Sequence, residues 1–293
     1  MAATSRNRSF RIAVASGKGG TGKTTVSINL AAMFGEPVQL ADCDVEEPNV
    51  NLFLRCEQLV TEQVSMLVPE VDPGRCTGCG ACGELCQFRG IVSLGSRALV
   101  FPELCHGCGG CAQVCPNAAI TERPHQIGTV SVGQAGSIRL VEGRLDVGVS
   151  LVPPVIRAVR EQLRDDMPAI LDAPPGTSCP VVATLRECDY LLLVTDPTPF
   201  GLHDLKLAVA LARELSLPCG VVVNRAGEDL VGLYQYCQTE NLPVLLSLPD
   251  DRQIAEVSSR GNVIAHALPE YGLMFAELAA KLKQELKTAG GRP

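Results

Sequence analysis

Residues 11–25, RIAVASGKGGTGKTT, decide the fold of this 293-residue chain. An apolar run at 11–16 leads into a glycine-rich segment of the pattern G-x-x-x-x-G-K-[ST], and a stretch suited to a helix follows. Glycines allow the backbone to curl so that successive N–H groups bind phosphate oxygens beside the N-terminus of the next helix. In this pattern the lysine bridges the β- and γ-phosphates and the hydroxyl binds Mg²⁺. The predicted nucleotide-binding loop comprises Gly17, Gly19, Gly20, Thr21, Gly22, Lys23, Thr24 and Thr25.

Short apolar runs recur along the rest of the chain, separated by stretches long enough for helices. The predicted strands span 11–16, 37–44, 169–173, 190–196, 219–225 and 244–249. The predicted helices span 23–34, 153–164, 179–187, 203–215, 229–240, 251–260 and 271–287. Near-continuous apolar strands that alternate with helices indicate a parallel sheet covered on both faces. The sequence therefore predicts an α/β fold of the P-loop NTPase type, with a mostly parallel sheet.

Composition excludes several function classes. The net charge is −7, aromatic residues make up 4% of the chain and tryptophan is absent, which disfavours a nucleic-acid-binding surface. No run reaches 18 apolar residues, so we predict no membrane span. The N-terminal sequence MAATSRNRSF has no apolar core of a secretory signal, so we expect a cytoplasmic protein.

Eight of the 14 cysteines form two copies of one motif. The pattern C-x₂-C-x₂-C-x₃-C begins at Cys76 and is repeated 29 residues later from Cys105, where Pro116 follows the last cysteine. This is the run of bacterial two-cluster ferredoxins, in which the fourth cysteine of each copy ligates the other cluster. One predicted 4Fe-4S cluster is therefore bound by Cys76, Cys79, Cys82 and Cys115. The other predicted cluster is bound by Cys105, Cys108, Cys111 and Cys86.

The cysteine segment interrupts the α/β alternation. We therefore predict a small ferredoxin-like iron–sulfur domain at 71–124, inserted into a P-loop domain formed by 1–70 and 125–293. A hairpin at 125–150 would lead back into the sheet. Zinc is the alternative metal for such thiolates, but two interlocked four-cysteine runs favour iron–sulfur clusters. Gln87 stands where the first copy would usually carry proline, which affects the shape of the loop and not its ligands.

A second lysine, Lys18, gives the loop the sequence KGGTGKTT. With it the chain resembles the deviant Walker-A ATPases of the MinD/ParA/Mrp class, which is related to the nitrogenase iron protein. The resemblance implies a homodimer in which Lys18 reaches the partner's phosphates. It also implies that Asp44 positions the attacking water and that Asp42 supports the magnesium shell.

Four further positions match that class. Asp172 ends the run AILD as a Walker-B aspartate would, and Gly176 follows in a segment similar to the family's γ-phosphate-sensing switch loop. Asn224 resembles the family's adenine-contacting asparagine, and the acceptor aspartate of a guanine site is absent nearby, so ATP is favoured. Pro249 matches the loop that flanks the base. Strand-end aspartates are also common helix caps, and 249–251 could simply form one.

Over nearly its whole length the chain resembles the MinD-superfamily P-loop ATPases that contain an inserted ferredoxin domain. Three functions stay open. The first is ATP-gated electron transfer to a redox partner protein. The second is an iron–sulfur assembly carrier like Mrp, disfavoured because no C-terminal C-x-x-C is present. The third is a positioning ATPase with structural clusters. Two details also stay open: Cys179 as a free thiol or a bridging-cluster ligand, and the apolar face of 271–287 as a docked helix or a lipid anchor.

Overall fold

A computed structural model describes residues 8–227 and 230–290, with side chains up to residue 287. The strands are β1 (Arg11–Ala15), β2 (Val38–Asp42), β3 (Glu57–Val71), β4 (Ile91–Leu94), β5 (Arg97–Val100), β6 (Ile120–Ala135), β7 (Ile138–Leu145), β8 (Ala169–Asp172), β9 (Tyr190–Thr195), β10 (Cys219–Ala226) and β11 (Val244–Pro249). The helices are α1 (Lys23–Ala32), α2 (Ala81–Leu85), α3 (Gly110–Gln113), α4 (Pro153–Glu161), α5 (Cys179–Leu185), α6 (Pro199–Glu214), α7 (Val231–Thr239), α8 (Arg252–Ser259), α9 (Ile264–Ala267) and α10 (Pro269–Gly290).

The chain divides into two compact units. The first, called here the sheet unit, takes the described residues up to Thr61, then Ser131–Arg144, and then those from Ile156 onwards. The second, called the cysteine unit, comprises Glu62–Val130 and Leu145–Val155. The predicted segment 71–124 lies within the cysteine unit, which extends further on both sides because it also contains parts of the long strands β3 and β6.

The sheet unit has the predicted parallel core. The strand order is β11-β10-β9-β1-β8-β2-β7, followed by the parts of β6 and β3 that belong to this unit. Strand β1 pairs in parallel with β8 and β9, and β2 pairs in parallel with β8 and β7. All residues of β1, β2, β8 and β9 are buried, as expected for strands covered by helices on both faces. Their carboxyl ends therefore meet at one edge, where a ligand site is expected.

The helix boundaries differ from prediction where capping decides them. Helix α6 begins at Pro199 and not at 203, because the Thr198 side chain accepts a hydrogen bond from the Gly201 N–H and proline suits the first turn. Asp251 caps α8 by accepting from the Gln253 N–H, so the capping alternative for 249–251 is confirmed for Asp251.

The last helix is docked on the sheet. Phe275, Leu278 and Leu282 of α10 are fully buried in the core, and Lys283 donates from Nζ to the Phe34 carbonyl at 2.6 Å. The docked-helix alternative is thereby confirmed for this apolar face. Within residues 8–227 and 230–290, the model contains no helix with both the length and the apolar character needed to cross a bilayer.

The cysteine unit contains short elements that the sequence did not predict. Strands β4 and β5 form an antiparallel hairpin, and α2 and α3 are helices of only five and four residues. A single helical turn shows no apolar periodicity, which is why these helices were missed. Each is preceded by a pair of glycines with positive φ, namely Gly78 and Gly80 before α2 and Gly107 and Gly109 before α3. The repeat in sequence is thus a repeat in backbone conformation.

Candidate functional site

The phosphate loop joins β1 to α1 and requires glycine at two positions. A Cβ atom at Gly17 would clash with the backbone of Asp204, and one at Gly22 would clash with the side-chain amide of Asn224. Gly22 also has a φ of 92°, a left-handed conformation that favours glycine. Asn224 donates from Nδ2 to the Thr21 carbonyl at 2.8 Å, so it supports the loop directly. Its predicted contact with adenine stays a prediction.

Asp172 holds two hydroxyl groups of α1. Thr24 donates from Oγ1 to Oδ2 of Asp172 at 2.6 Å, and Ser27 donates from Oγ to Oδ1 at 2.8 Å. Asp172 is fully buried; burial raises its pKa, while the two hydroxyls and the charge of Lys23 oppose that rise. The aspartate therefore fixes the hydroxyl that is predicted to bind Mg²⁺. Ser27 was not predicted, although it follows Thr24 by one helical turn and so lies on the same face.

Asp42 fastens the loop that follows β2. Its Oδ1 accepts from the Asp44 N–H at 3.2 Å, and its Oδ2 accepts from the N–H groups of Asn49 and Val50 at 3.0 and 3.1 Å. Asp42 is fully buried and lies opposite Asp172 in the sheet register. Burial and then the charge of Asp172 raise its pKa well above the ordinary value. Through these bonds Asp42 sets the conformation of the loop that carries Asp44.

Asp44 lies at the same edge, half-buried and under the influence of Lys23. Burial raises the pKa of Asp44 to about 6, and Asp172 adds to the rise while Lys23 opposes it. Lys23 is itself buried at the start of α1. The structure thus brings Lys23, Thr24, Asp42, Asp44 and Asp172 together at the carboxyl ends of β2 and β8.

Lys18 lies apart from that group and pairs within its own chain. Its Nζ is 2.9 Å from Oδ2 of Asp196 and 3.2 Å from Oδ1, and it donates to Thr198 Oγ1 at 3.4 Å. Thr198 also donates to Asp196, at 2.5 Å. Burial would raise the pKa of Asp196, but these donors together hold it below the ordinary value. Sequence reasoning missed Asp196, whose position after β9 was the available signal.

Two predicted residues have backbone roles. Gly176 has a φ of 93° and donates its N–H to the Ser16 carbonyl at 3.0 Å, so its segment is bonded to the start of the phosphate loop. Pro249 ends β11 and pairs in register with Ala226, two residues after Asn224. The roles of both residues toward a nucleotide stay predictions.

A family comparison identifies this fold and loop. The family described as the CobQ/CobB/MinD/ParA nucleotide binding domain matches residues 12–264, which span the phosphate loop, Asp172 and Asn224. The chain belongs to this family. MinD/ParA membership confirms the predicted class of P-loop ATPase and its mostly parallel sheet.

The chain is also similar to individual proteins and to a solved structure. An uncharacterized protein of Methanocaldococcus jannaschii is 30% identical over 86% of this chain and 90% of its own length. The iron-sulfur cluster carrier protein of Aquifex aeolicus is 26% identical over 94% of this chain and 68% of its own length. The septum site-determining protein MinD of Pyrococcus horikoshii, solved with Mg-ADP, superposes with a TM-score of 0.59 at 19% identity, covering 97% of this chain and all of that one. The last comparison shows a shared fold.

The cysteine unit of this MinD/ParA-family protein contains two cavities lined by sulfur. The first is lined by Cys76, Cys79, Cys82 and Cys115. The second is lined by Cys86, Cys105, Cys108 and Cys111, with Cys82 on its wall. These are the two sets predicted for the two clusters, including the crossover of the fourth cysteines. Within the described residues, no three His, Cys, Asp or Glu side chains are arranged to hold a single metal ion.

Backbone N–H groups face several of these sulfurs. Gly107 donates to the Cys105 sulfur at 3.4 Å and Ala119 to the Cys115 sulfur at 3.3 Å. Burial would raise the pKa of Cys86, but N–H groups of the segment 88–91 outweigh it and lower the pKa. Such donors stabilise thiolate sulfur, the form that binds metal.

The second cavity also has an aromatic wall. Phe88 and His106 stack with ring centroids 3.5 Å apart and planes inclined by 10°, and both rings line the cavity. His106 is also exposed.

Proposed function

We propose that this MinD/ParA-family ATPase holds two 4Fe-4S clusters in its cysteine unit and uses ATP hydrolysis to control electron transfer to a partner protein. The observation that carries this proposal is the pair of cavities, each lined by one predicted set of four cysteines. An isolated phosphate loop would indicate only an ATPase. The two cavities lined by cysteines in the same chain support the proposed link between ATP turnover and electron transfer.

The cysteine unit fits iron–sulfur clusters better than zinc. A structural zinc ion takes four ligands, with each sulfur about 2.3 Å from one point. Here two four-cysteine runs occur in one unit, and each predicted set of four, with its fourth cysteine taken from the other run, lines its own cavity. When bound, each cluster would supply a site that accepts and releases one electron. Backbone N–H groups that donate to the sulfurs of Cys105 and Cys115 would stabilise negative charge on those sulfurs.

At the nucleotide site the chain's own groups would bind and orient Mg-ATP. The N–H groups of 17–25 face the phosphates, and Lys23 neutralises their charge. Asp172 holds the Thr24 hydroxyl in place as a ligand. The Thr24 hydroxyl would help to hold Mg²⁺, which when bound would supply positive charge to offset the negative charge that develops during phosphoryl transfer. Asp42 fixes the following loop so that Asp44 orients the attacking water.

The proposal includes a homodimer, because Lys18 would complete the site of a second copy. In the single chain Lys18 is held by Asp196 at 2.9 Å. Lys18 is partly exposed in that ion pair whereas Asp196 is buried, so the phosphates that Lys18 would gain have to offset the cost of leaving Asp196 without its cation. A partner's phosphates would then replace Asp196 as the group facing Lys18.

Anaerobic cluster analysis tests the first half of the proposal. After reconstitution we expect four iron atoms and four acid-labile sulfides per cluster, and EPR signals of two interacting clusters on reduction. Bound zinc without sulfide would refute the presence of clusters.

The second half of the proposal, control of electron transfer by ATP, requires midpoint potentials of the clusters with and without Mg-ATP, on the wild type and on Lys23→Ala. Because coupling is reciprocal, a shift of about 59 mV means a tenfold difference in nucleotide affinity between redox states.

A second candidate function is iron–sulfur cluster delivery, favoured by the relative named as a cluster carrier and by the exposure of Cys79 and Cys108. Mixing the loaded protein with an apo iron–sulfur acceptor distinguishes the two. An electron carrier keeps its iron in the presence of the apo acceptor, and it reduces or oxidises the same acceptor once that protein holds its own cluster. A cluster carrier instead loses iron to the apo acceptor. Intact ATPase activity with neither transfer would favour a positioning ATPase with structural clusters.

A further inference from the structure

Three carboxylates lie side by side at the edge of the sheet where the nucleotide site forms. Asp172 of β8 is in register with Asp42 of β2, and Asp42 is in register with Glu142 of β7. The first two were predicted from the sequence. Glu142 was not, because β7 belongs to the segment between the cysteine motif and the rest of the sheet. It extends the row of acidic groups by one strand.

Glu142 is buried with half of its carboxylate unpaired. The residue is 7% exposed, and its Oε2 atom is buried without a hydrogen-bond partner. Its Oε1 accepts from Asn51 Nδ2 at 3.0 Å and, less closely, from Arg144 Nη2 at 3.4 Å. A buried acid with an unsatisfied oxygen destabilises a fold. Stability therefore does not explain why a carboxylate occupies this position.

The Asn51 contact places Glu142 at one end of the loop that carries Asp44. Asp42 binds the N–H groups of Asp44, Asn49 and Val50. Asn51, the next residue, is bound by Glu142. The segment is thus held by two neighbouring carboxylates on two neighbouring strands, and Asp44 lies near its start.

We propose that Glu142 is a positioning residue for ATP hydrolysis, which acts through the Asn51 amide to fix the loop that presents Asp44. The inference rests on the proposed role of Asp44 in orienting water. Glu142 does not contact the phosphate loop in any described bond, so its effect falls on the rate of the chemical step and not on nucleotide binding. Displacing a catalytic group by about 1 Å is enough to lower a reaction rate by about a hundredfold.

Steady-state ATPase kinetics on four variants test this inference. Glu142→Leu and Asn51→Ala each remove the hydrogen bond, and we expect kcat to fall at least tenfold with KM for Mg-ATP within twofold. Glu142→Gln keeps an acceptor oxygen for Asn51, so it should restore most of the kcat that leucine loses. The double variant Glu142→Leu/Asn51→Ala should be no slower than either single variant, because one bond is removed in each case.

Thermal stability separates positioning from a structural role. Glu142→Leu should melt at or above the wild-type temperature, since it removes an unsatisfied buried charge. The matched control is Arg139→Leu on the same strand. Arg139 lies at the amino end of β7, where it bonds to Gln39 and to the Gln162 carbonyl. It should lower the melting temperature and leave kcat unchanged.

Two outcomes would overturn the inference: a folded Glu142→Leu protein with wild-type kcat, or a Glu142→Gln protein as slow as Glu142→Leu. Asp44→Asn separates this failure from failure of the proposed function. If Asp44→Asn hydrolyses ATP at the wild-type rate, the role of Asp44 is wrong. If Asp44→Asn is slow while Glu142→Leu is not, only the role of Glu142 is wrong.

Discussion

Alanine substitutions along the phosphate loop should separate backbone strain from side-chain clash. Gly19 has neither a positive φ nor any atom near an added Cβ. Gly20 has a φ of 75° but open space, and Gly22 has both a φ of 92° and the Asn224 amide in the way. The three positions therefore form a graded series within one loop.

The expected magnitudes follow from these differences. Replacing glycine by alanine stabilises a protein by about 0.4–1 kcal/mol through the unfolded chain when the conformation is compatible. A left-handed conformation costs alanine about 1–2 kcal/mol. We expect Gly19→Ala to be neutral or slightly stabilising in nucleotide-free protein, and Gly20→Ala to cost about 1 kcal/mol net. Gly22→Ala should cost about 2 kcal/mol, because it also displaces the Asn224–Thr21 hydrogen bond, worth about 1 kcal/mol.

Urea unfolding without nucleotide, followed by far-UV circular dichroism, measures these differences. The transition that added Mg-ADP shifts to higher urea is that of the nucleotide-binding unit. Asn224→Ala provides the internal check, because it removes the clashing group. The double variant Gly22→Ala/Asn224→Ala should be about 1 kcal/mol more stable than the sum of the single effects predicts. Equal costs at Gly20 and Gly22, or full additivity with Asn224→Ala, would refute the reasoning.

Two further predictions concern charge and cluster assignment. Hydrogen bonds from Thr198 and Lys18 outweigh burial and lower the pKa of Asp196, so its contribution to stability is full at neutral pH and is lost as the pH falls below about 4. In urea titrations, Asp196→Asn should therefore be less stable than the wild type at pH 7 and equal to it near pH 2–3. An equal deficit at both pH values would contradict this. Cys79→Ser and Cys115→Ser lie in different motifs but should deplete the same cluster in iron counts and EPR spectra, and loss of different clusters would refute the crossed assignment. The control Cys219→Ser, outside both motifs, should keep its iron.

The sequence predicted what short-range patterns encode. The apolar runs located the parallel strands, the glycine spacing located the phosphate loop, and the repeated cysteine motif matched two cavities. Sequence-based prediction failed where a feature depends on the pairing of strands across the sheet, or where a helix has only a single turn. Glu142 reaches the site only through the register of β7 with β2, and α2 is too short to show a period. Asp196 meets Lys18 across 178 residues of chain, which no local pattern indicates.

The two ends of the same strands differ in how their polar groups are arranged. At the amino ends of β1, β2 and β7, Gln39 bonds to backbone carbonyls and to Arg139, and Arg11 bonds to Asp165. At the carboxyl ends, three buried acids lie in register and one of them keeps an unpaired oxygen. Burying like charges together opposes folding. The row of buried acids therefore opposes folding, which supports the proposed role of this edge in nucleotide binding and hydrolysis.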